Sequence, residues 1–249
     1  MLRVIGRLCC ALALVSVISC ASEEKSSDTP EGAYAIAEEF AKDDRYEEAI
    51  RRFNDVKNKY PYSKFATMAE LAVADTYFKQ ESYPEAQVSY QTFKELHPKH
   101  AQIDYVTYRL GLSFFEQLPE TEDRDLSLAQ SSIIYFDEVM SLYPNSPHAK
   151  EAQEKKTEVL KKLGAKEMYI ADFYFKRKVY ASALTRYEGL LRTYPNLGFD
   201  ALALSRAAQS AAHAGELDRA KQLVARLKTQ FAGSSELADA EKVLQSATK

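Results

Sequence analysis

Tryptophan is absent from this 249-residue sequence; glycine and proline number eight each, histidine four and cysteine three. Scarce glycine and proline beside sixteen tyrosines and twelve phenylalanines suit helices meshed by medium and large aromatic side chains, and an all-α class is expected. There is no glycine-rich phosphate loop, no Gly-x-Ser-x-Gly elbow and no His-Glu-x-x-His helix, which removes the common catalytic constellations. No cysteine accompanies His97 and His100 in the stretch HPKH, and no carboxylate pair lies nearby in sequence, so these read as turn residues and no metal site is expected. A net charge of −3 gives no basic field over the chain, which excludes nucleic acid as a partner. At 46% hydrophobic the chain can still bury a core.

The longest apolar run is itself too short to cross a bilayer. Arg3 and Arg7 precede the stretch from Leu8 to Ile18, a charged and then an apolar segment that together read as a signal peptide over residues 1–19. The run closes on Val17-Ile18-Ser19-Cys20, which resembles the lipobox of bacterial lipoproteins. That resemblance implies cleavage before Cys20 and covalent lipid on its thiol and new amine, the one non-protein group expected. Each buried CH₂ contributes roughly 0.8 kcal/mol, so several acyl chains anchor stably where one does not. Cys9 and Cys10 leave with the signal, so no disulfide is expected. Two arginines and no acids leave as well, taking the net charge from −3 to −5. Residues 20–30 are small and polar and read as a lipidated tether. Ala21 and Ser22 lack the acidic residue that in enteric bacteria commonly retains lipoproteins at the inner membrane, so the expected location is the outer membrane, facing the periplasm.

The body of the sequence repeats itself. Tyr46, Ala49, Phe53, Val56 and Pro61 are separated by steps of 3, 4, 3 and 5. The same steps recur from Tyr83 to Pro98, from Ala129 to Pro144, from Tyr180 to Pro195, and from Leu217 to Ala232 with the proline lost. Steps of 3 and 4 place residues on one helical face, and a proline five residues on stops the helix because it cannot donate the next backbone bond. A small residue in each set lets a neighbouring helix approach closely while the aromatic one turn later fills the adjoining space. Amphipathic stretches precede each set: Glu31 to Lys42, Lys64 to Lys79, Ala101 to Gln117, about Ala149 to Arg177 with a bend at Gly164, and Phe199 to Ala214.

These sets resemble the tetratricopeptide repeat, which implies an α-solenoid of five helix pairs. Set spacings of 37, 46, 51 and 37 residues depart from that family's ~34. The excess falls in an acidic loop around Pro119 to Asp125 and in the long helix near Gly164. A boundary near Pro144 divides three repeats over 31–144 from two over 145–249. The mixed charges of Lys155, Lys156, Lys161 and Lys162 with Glu151, Glu154 and Glu158 read as helix-stabilising pairs.

HPKHAQIDYVTYRLGLSFFEQ, then Arg124-Asp125, then YPNSPHAKEA resemble the BamD family, also called YfiO. The resemblance implies a non-enzymatic scaffold of the outer-membrane β-barrel assembly machine. Its implied partners are a BamA-like barrel protein met through its POTRA domains, unfolded β-barrel substrates, and other assembly lipoproteins. The loop before Arg124 is shorter than in enteric members. Tyr60 matches a family position linked to substrate binding; tyrosine also stands there in the third and fourth repeats, at Tyr143 and Tyr194, so a cap over the helix end is the alternative. Arg186 matches an arginine associated with partner contact, and beside core Tyr187 it is expected to point off the packed face. A pilotin-like or envelope-coordinating repeat lipoprotein is the competing reading, against which the Ile103 to Gly111 block argues. An envelope enzyme would need a further domain.

Overall fold

The computed structural model describes residues 26–248. Cys20 and the signal segment lie outside the described residues. Within them are eleven α-helices: α1 Pro30–Lys42, α2 Tyr46–Lys59, α3 Lys64–Lys79, α4 Tyr83–Leu96, α5 Ile103–Phe115, α6 Ala129–Leu142, α7 Ala149–Lys176, α8 Tyr180–Thr193, α9 Asp200–His213, α10 Leu217–Gln230 and α11 Ser235–Ala247. The first ten form five antiparallel pairs, and each helix packs on the next in chain order. Every second helix is 14 residues long and begins at the first residue of a repeated set.

The small residue of each set, Ala49, Ala86, Ser132, Ala183 or Ala220, is fully buried. One turn later Phe53, Tyr90, Phe136, Tyr187 and Val224 are buried in turn, each contributing on the order of 2–3 kcal/mol by removal from water. The five second helices also end alike. Their caps are Tyr60, His97, Tyr143, Tyr194 and Phe231, with φ between −137° and −127° and ψ between 48° and 55°. Each cap N–H donates to the carbonyl four residues back, closing the last helical turn before the chain leaves. Turns within repeats are equally regular: Asp44, Glu81, Lys178 and Gly215, each two residues before a second helix, adopt φ of 57° to 83°. Only the expanded third repeat lacks this residue.

Neighbouring first helices touch, α1 with α3, α5 with α7 and α7 with α9, whereas neighbouring second helices do not meet to the same extent. Closer spacing on one side curves the stack and puts the first helices on its concave face. Four apolar clusters follow one another along the stack. α7 serves two of them: Ala152 and Val159 pack with α5 and α6, and Met168 and Ala171 with α8 to α10.

Three features go beyond the sequence reading. An eleventh helix follows the fifth pair; it packs chiefly on α9 and less on α10, burying Leu237 and Ala240 over the end of the core. Gly164 sits inside one continuous 28-residue helix, where its role is close approach: an added Cβ would lie 2.8 Å from a Phe199 ring carbon. The α7 lysines tie elements together besides pairing along the helix. Lys156 reaches Asp137 of α6 at 2.6 Å, while Lys162 and Lys166 donate to the carbonyls of Pro119 and Arg124 and pin the acidic loop onto α7.

Two helical glycines give opposite expectations. An added Cβ at Gly111 would sit 2.9 Å from fully buried Phe136, whereas at Gly189 it meets nothing within 4 Å. Gly111→Ala is expected to destabilise by about 1–3 kcal/mol through overpacking, and Gly189→Ala to stabilise by about 0.5–1 kcal/mol through helix propensity. Chemical denaturation followed by circular dichroism checks both signs.

Candidate functional site

The concave face carries a polar constellation built by three successive helices. Asp75 of α3 accepts hydrogen bonds from the Tyr90 hydroxyl of α4 at 2.5 Å and the Tyr105 hydroxyl of α5 at 2.7 Å. Arg109, one turn after Tyr105, donates from Nε to the Tyr90 hydroxyl at 3.1 Å, and its guanidinium carbon lies 3.6 Å above the centre of the Phe78 ring. A first helix, its partner and the next first helix are thereby tied in register. Burial, and then the Asp75 charge, raise the Tyr90 and Tyr105 phenols well above their ordinary range. Both remain hydrogen-bond donors across the neutral pH range.

The same constellation recurs 97 residues later. Asp172, Phe175, Tyr187 and Arg206 stand in the relation of Asp75, Phe78, Tyr90 and Arg109. The Tyr187 hydroxyl donates to Asp172, and Arg206 lies 4.7 Å from the Phe175 ring centre. Tyr83 and Tyr180 meet Phe78 and Phe175 edge-on, and Ser113 and Ser210 each donate to the carbonyl of the constellation's arginine. One member differs: Leu202 replaces Tyr105 and is 41% exposed. The N-terminal lock is therefore the more fully bonded. In the C-terminal half, Tyr169 and Phe173 of α7 join Leu202 as exposed apolar side chains on first helices.

Neither carboxylate stands out in the sequence. Tyr105 and Arg109 lie in the Ile103 to Gly111 block that carried the family resemblance, and aligning the chain on itself at an offset of 97 residues exposes the rest.

Tyr60 and Arg186 do not form one site, since they belong to the first and fourth repeats. Tyr60 is half-buried at the end of α2; its hydroxyl donates to the Ser27 carbonyl at 3.2 Å, and it borders a cleft of about 500 Å³ lined by Ala33, Ile36, Arg52 and Val56. Its backbone matches the four other caps, so part of its work is closing a helix. Arg186 points off the packed face and is half exposed, 3.4 Å from Glu167 of α7. His97 caps α4 and meets Glu70 at 2.6 Å. Among the described residues no cluster of three metal-ligating side chains occurs.

Asp75→Ala strands two hydroxyls, whereas Asp172→Ala strands one. The expected losses are about 2–3 and about 1 kcal/mol in chemical denaturation; equal losses would contradict the difference between the two locks.

The family described as "YfiO: Outer membrane lipoprotein" matches residues 26–227. Among individual relatives, "Outer membrane protein assembly factor BamD" of Neisseria meningitidis is 29% identical over 175 residues, covering 67% of this chain and 66% of that protein. The protein of the same name from Vibrio cholerae is 25% identical over 195 residues, covering 75% of this chain and 81% of its own. Among solved structures, the TPR2AB-domain:pHSP90 complex of yeast Sti1 overlays with a TM-score of 0.46 at 13% identity, over 90% of this chain and 85% of that one. With more than three quarters of its length matched, the chain belongs to the YfiO family of outer membrane lipoproteins.

Proposed function

We propose that this chain is a non-enzymatic scaffold of the outer-membrane β-barrel assembly machinery. In this reading Cys20 carries lipid, no other cofactor is used, and the solenoid faces the periplasm from the outer membrane. The observation that carries the reading is the family match over residues 26–227. Relatives named as assembly factors rather than as enzymes support it.

The repeats supply a physical means. A solenoid holds a curved row of first helices whose spacing is fixed by nearest-neighbour packing, and such a surface takes extended segments or the edges of other domains. We assign docking on the POTRA domains of a BamA-like barrel protein to residues 145–249, and reception of unfolded barrel substrates to the concave face and the cleft beside Tyr60. Other assembly lipoproteins would share the remaining surface. Arg186 suits a partner carboxylate, because it already pairs with partly exposed Glu167 and exchanging one carboxylate for another requires little new desolvation.

Docking is tested by titrating the purified chain with the POTRA region of its own barrel protein. The unaltered chain is expected to bind, and Arg186→Glu to weaken binding on the order of tenfold with helicity unchanged. Full affinity in that variant would remove Arg186 from the interface, and no binding by the unaltered chain would overturn the docking assignment.

A further inference from the structure

The two ends of the helix stack differ in chemistry. In an antiparallel solenoid every second helix ends, and every next first helix begins, at the same end. That end here carries the turns between repeats, at residues 60–63, 97–102, 143–148, 194–199 and 231–234, and none of these turns contains Asp or Glu. The opposite end carries the turns within repeats, which hold Asp43, Asp44, Glu81, Glu216 and five acids in the 116–128 loop. Three acids near the first end are engaged: Asp28 lies 3.7 Å from Lys59, Glu70 meets His97, and Asp104 accepts from the Ser146 hydroxyl at 2.7 Å.

The same end also exposes large apolar side chains. Tyr62, in the turn after α2, is 101% exposed, and Leu96 and Leu142, the last residues of α4 and α6, are 62% and 63% exposed. Single exposed apolar residues are commonplace, but these follow a positional rule. Across the five repeats the last residue of the second helix is Lys59, Leu96, Leu142, Thr193 and Gln230, so the leucines fall in the second and third repeats and the distal repeats are polar. Lys59, Lys64 and Lys99 are exposed around them.

The start of the described chain lies at this same end. Lys59 Nζ and the Tyr60 hydroxyl both donate to the Ser27 carbonyl, at 3.5 and 3.2 Å, which holds residue 27 against the end of α2. Cys20 precedes Ser27 by seven residues, a span of at most about 25 Å when fully extended. Lipid on Cys20 therefore attaches the anchor at this end of the stack rather than at the acidic one.

We propose that the inter-repeat end of the first three repeats rests on the phospholipid surface, with Tyr62, Leu96 and Leu142 entering its interfacial layer and the neighbouring lysines reaching the phosphates. Tyrosine and snorkelling lysine suit that layer, and the acidic turns then face away from anionic lipid. This rests on lipid anchoring at Cys20 and adds to it an orientation: the helices stand off the membrane by their ends, leaving the concave face open sideways to the periplasm.

The absence of tryptophan makes the test site-specific. Acylated Tyr62→Trp, Leu96→Trp and Asp123→Trp proteins are bound to phosphatidylethanolamine–phosphatidylglycerol vesicles doped with bromine-labelled phospholipid, and Cys20→Ala serves as the unanchored control. Flotation reports anchoring, and emission reports contact. The first two are expected to shift to the blue and lose roughly half their intensity, while Asp123→Trp, in the acidic loop, is unchanged. Proteins that float but show no quenching at Tyr62→Trp and Leu96→Trp, or equal quenching at Asp123→Trp, would overturn the orientation and leave the anchor intact. Acylated protein that fails to float would overturn the anchor, and the orientation with it.

Discussion

The close approach of two helices at one small residue is the constraint on which this molecule depends. A solenoid has no central core, so each pair buries apolar surface only against its neighbours. The distance between helices therefore decides how much is buried. Ala49, Ala86, Ser132, Ala183 and Ala220 set that distance, and the residue one turn later fills the space it creates. The third repeat carries the requirement furthest: Ser132 donates to the Gly111 carbonyl at 3.1 Å, and the Phe136 ring lies where a Gly111 side chain would be. Curvature follows, because contact between first helices without matching contact between second helices bends the stack toward the first.

Packing alone fixes distance better than register. The Asp75–Tyr90–Tyr105–Arg109 network and its counterpart around Asp172 supply register, since hydrogen bonds tolerate smaller displacements than apolar contacts do. Their recurrence at 97 residues divides the chain into two comparable stretches, one more fully locked than the other. The N-terminal concave surface carries the fuller lock, while the C-terminal one leaves Leu202, Tyr169 and Phe173 exposed.

Much of this was legible in the sequence because the signal was local. Five sets of steps of 3, 4, 3 and 5 located every second helix, and the residue before each proline proved to be its cap. Arg186 lies off the packed face because its neighbour Tyr187 is committed to the core. Tyr60 was harder, since a residue that closes a helix and a residue that borders a cleft leave the same mark in sequence. The polar locks were not read because their members lie 15, 19 and 30 residues apart, beyond any helical period. Helix α11 went unseen for lack of a terminating proline, although Leu237, Ala240, Val243 and Leu244 share one face. Gly164 suggested a bend, but glycine in a helix also marks close approach, and only the position of Phe199 decides between the two. Cys20 and the lipobox stand on sequence alone.

The central claim, that this repeat lipoprotein serves barrel assembly, is tested most directly by capturing the tagged chain from gently solubilised envelopes and identifying the retained proteins by mass spectrometry. A large barrel protein bearing POTRA domains is expected in amounts comparable to the chain itself. A secretin or a cell-wall synthase in its place would contradict it, leaving the solenoid as described and the assignment to barrel assembly wrong.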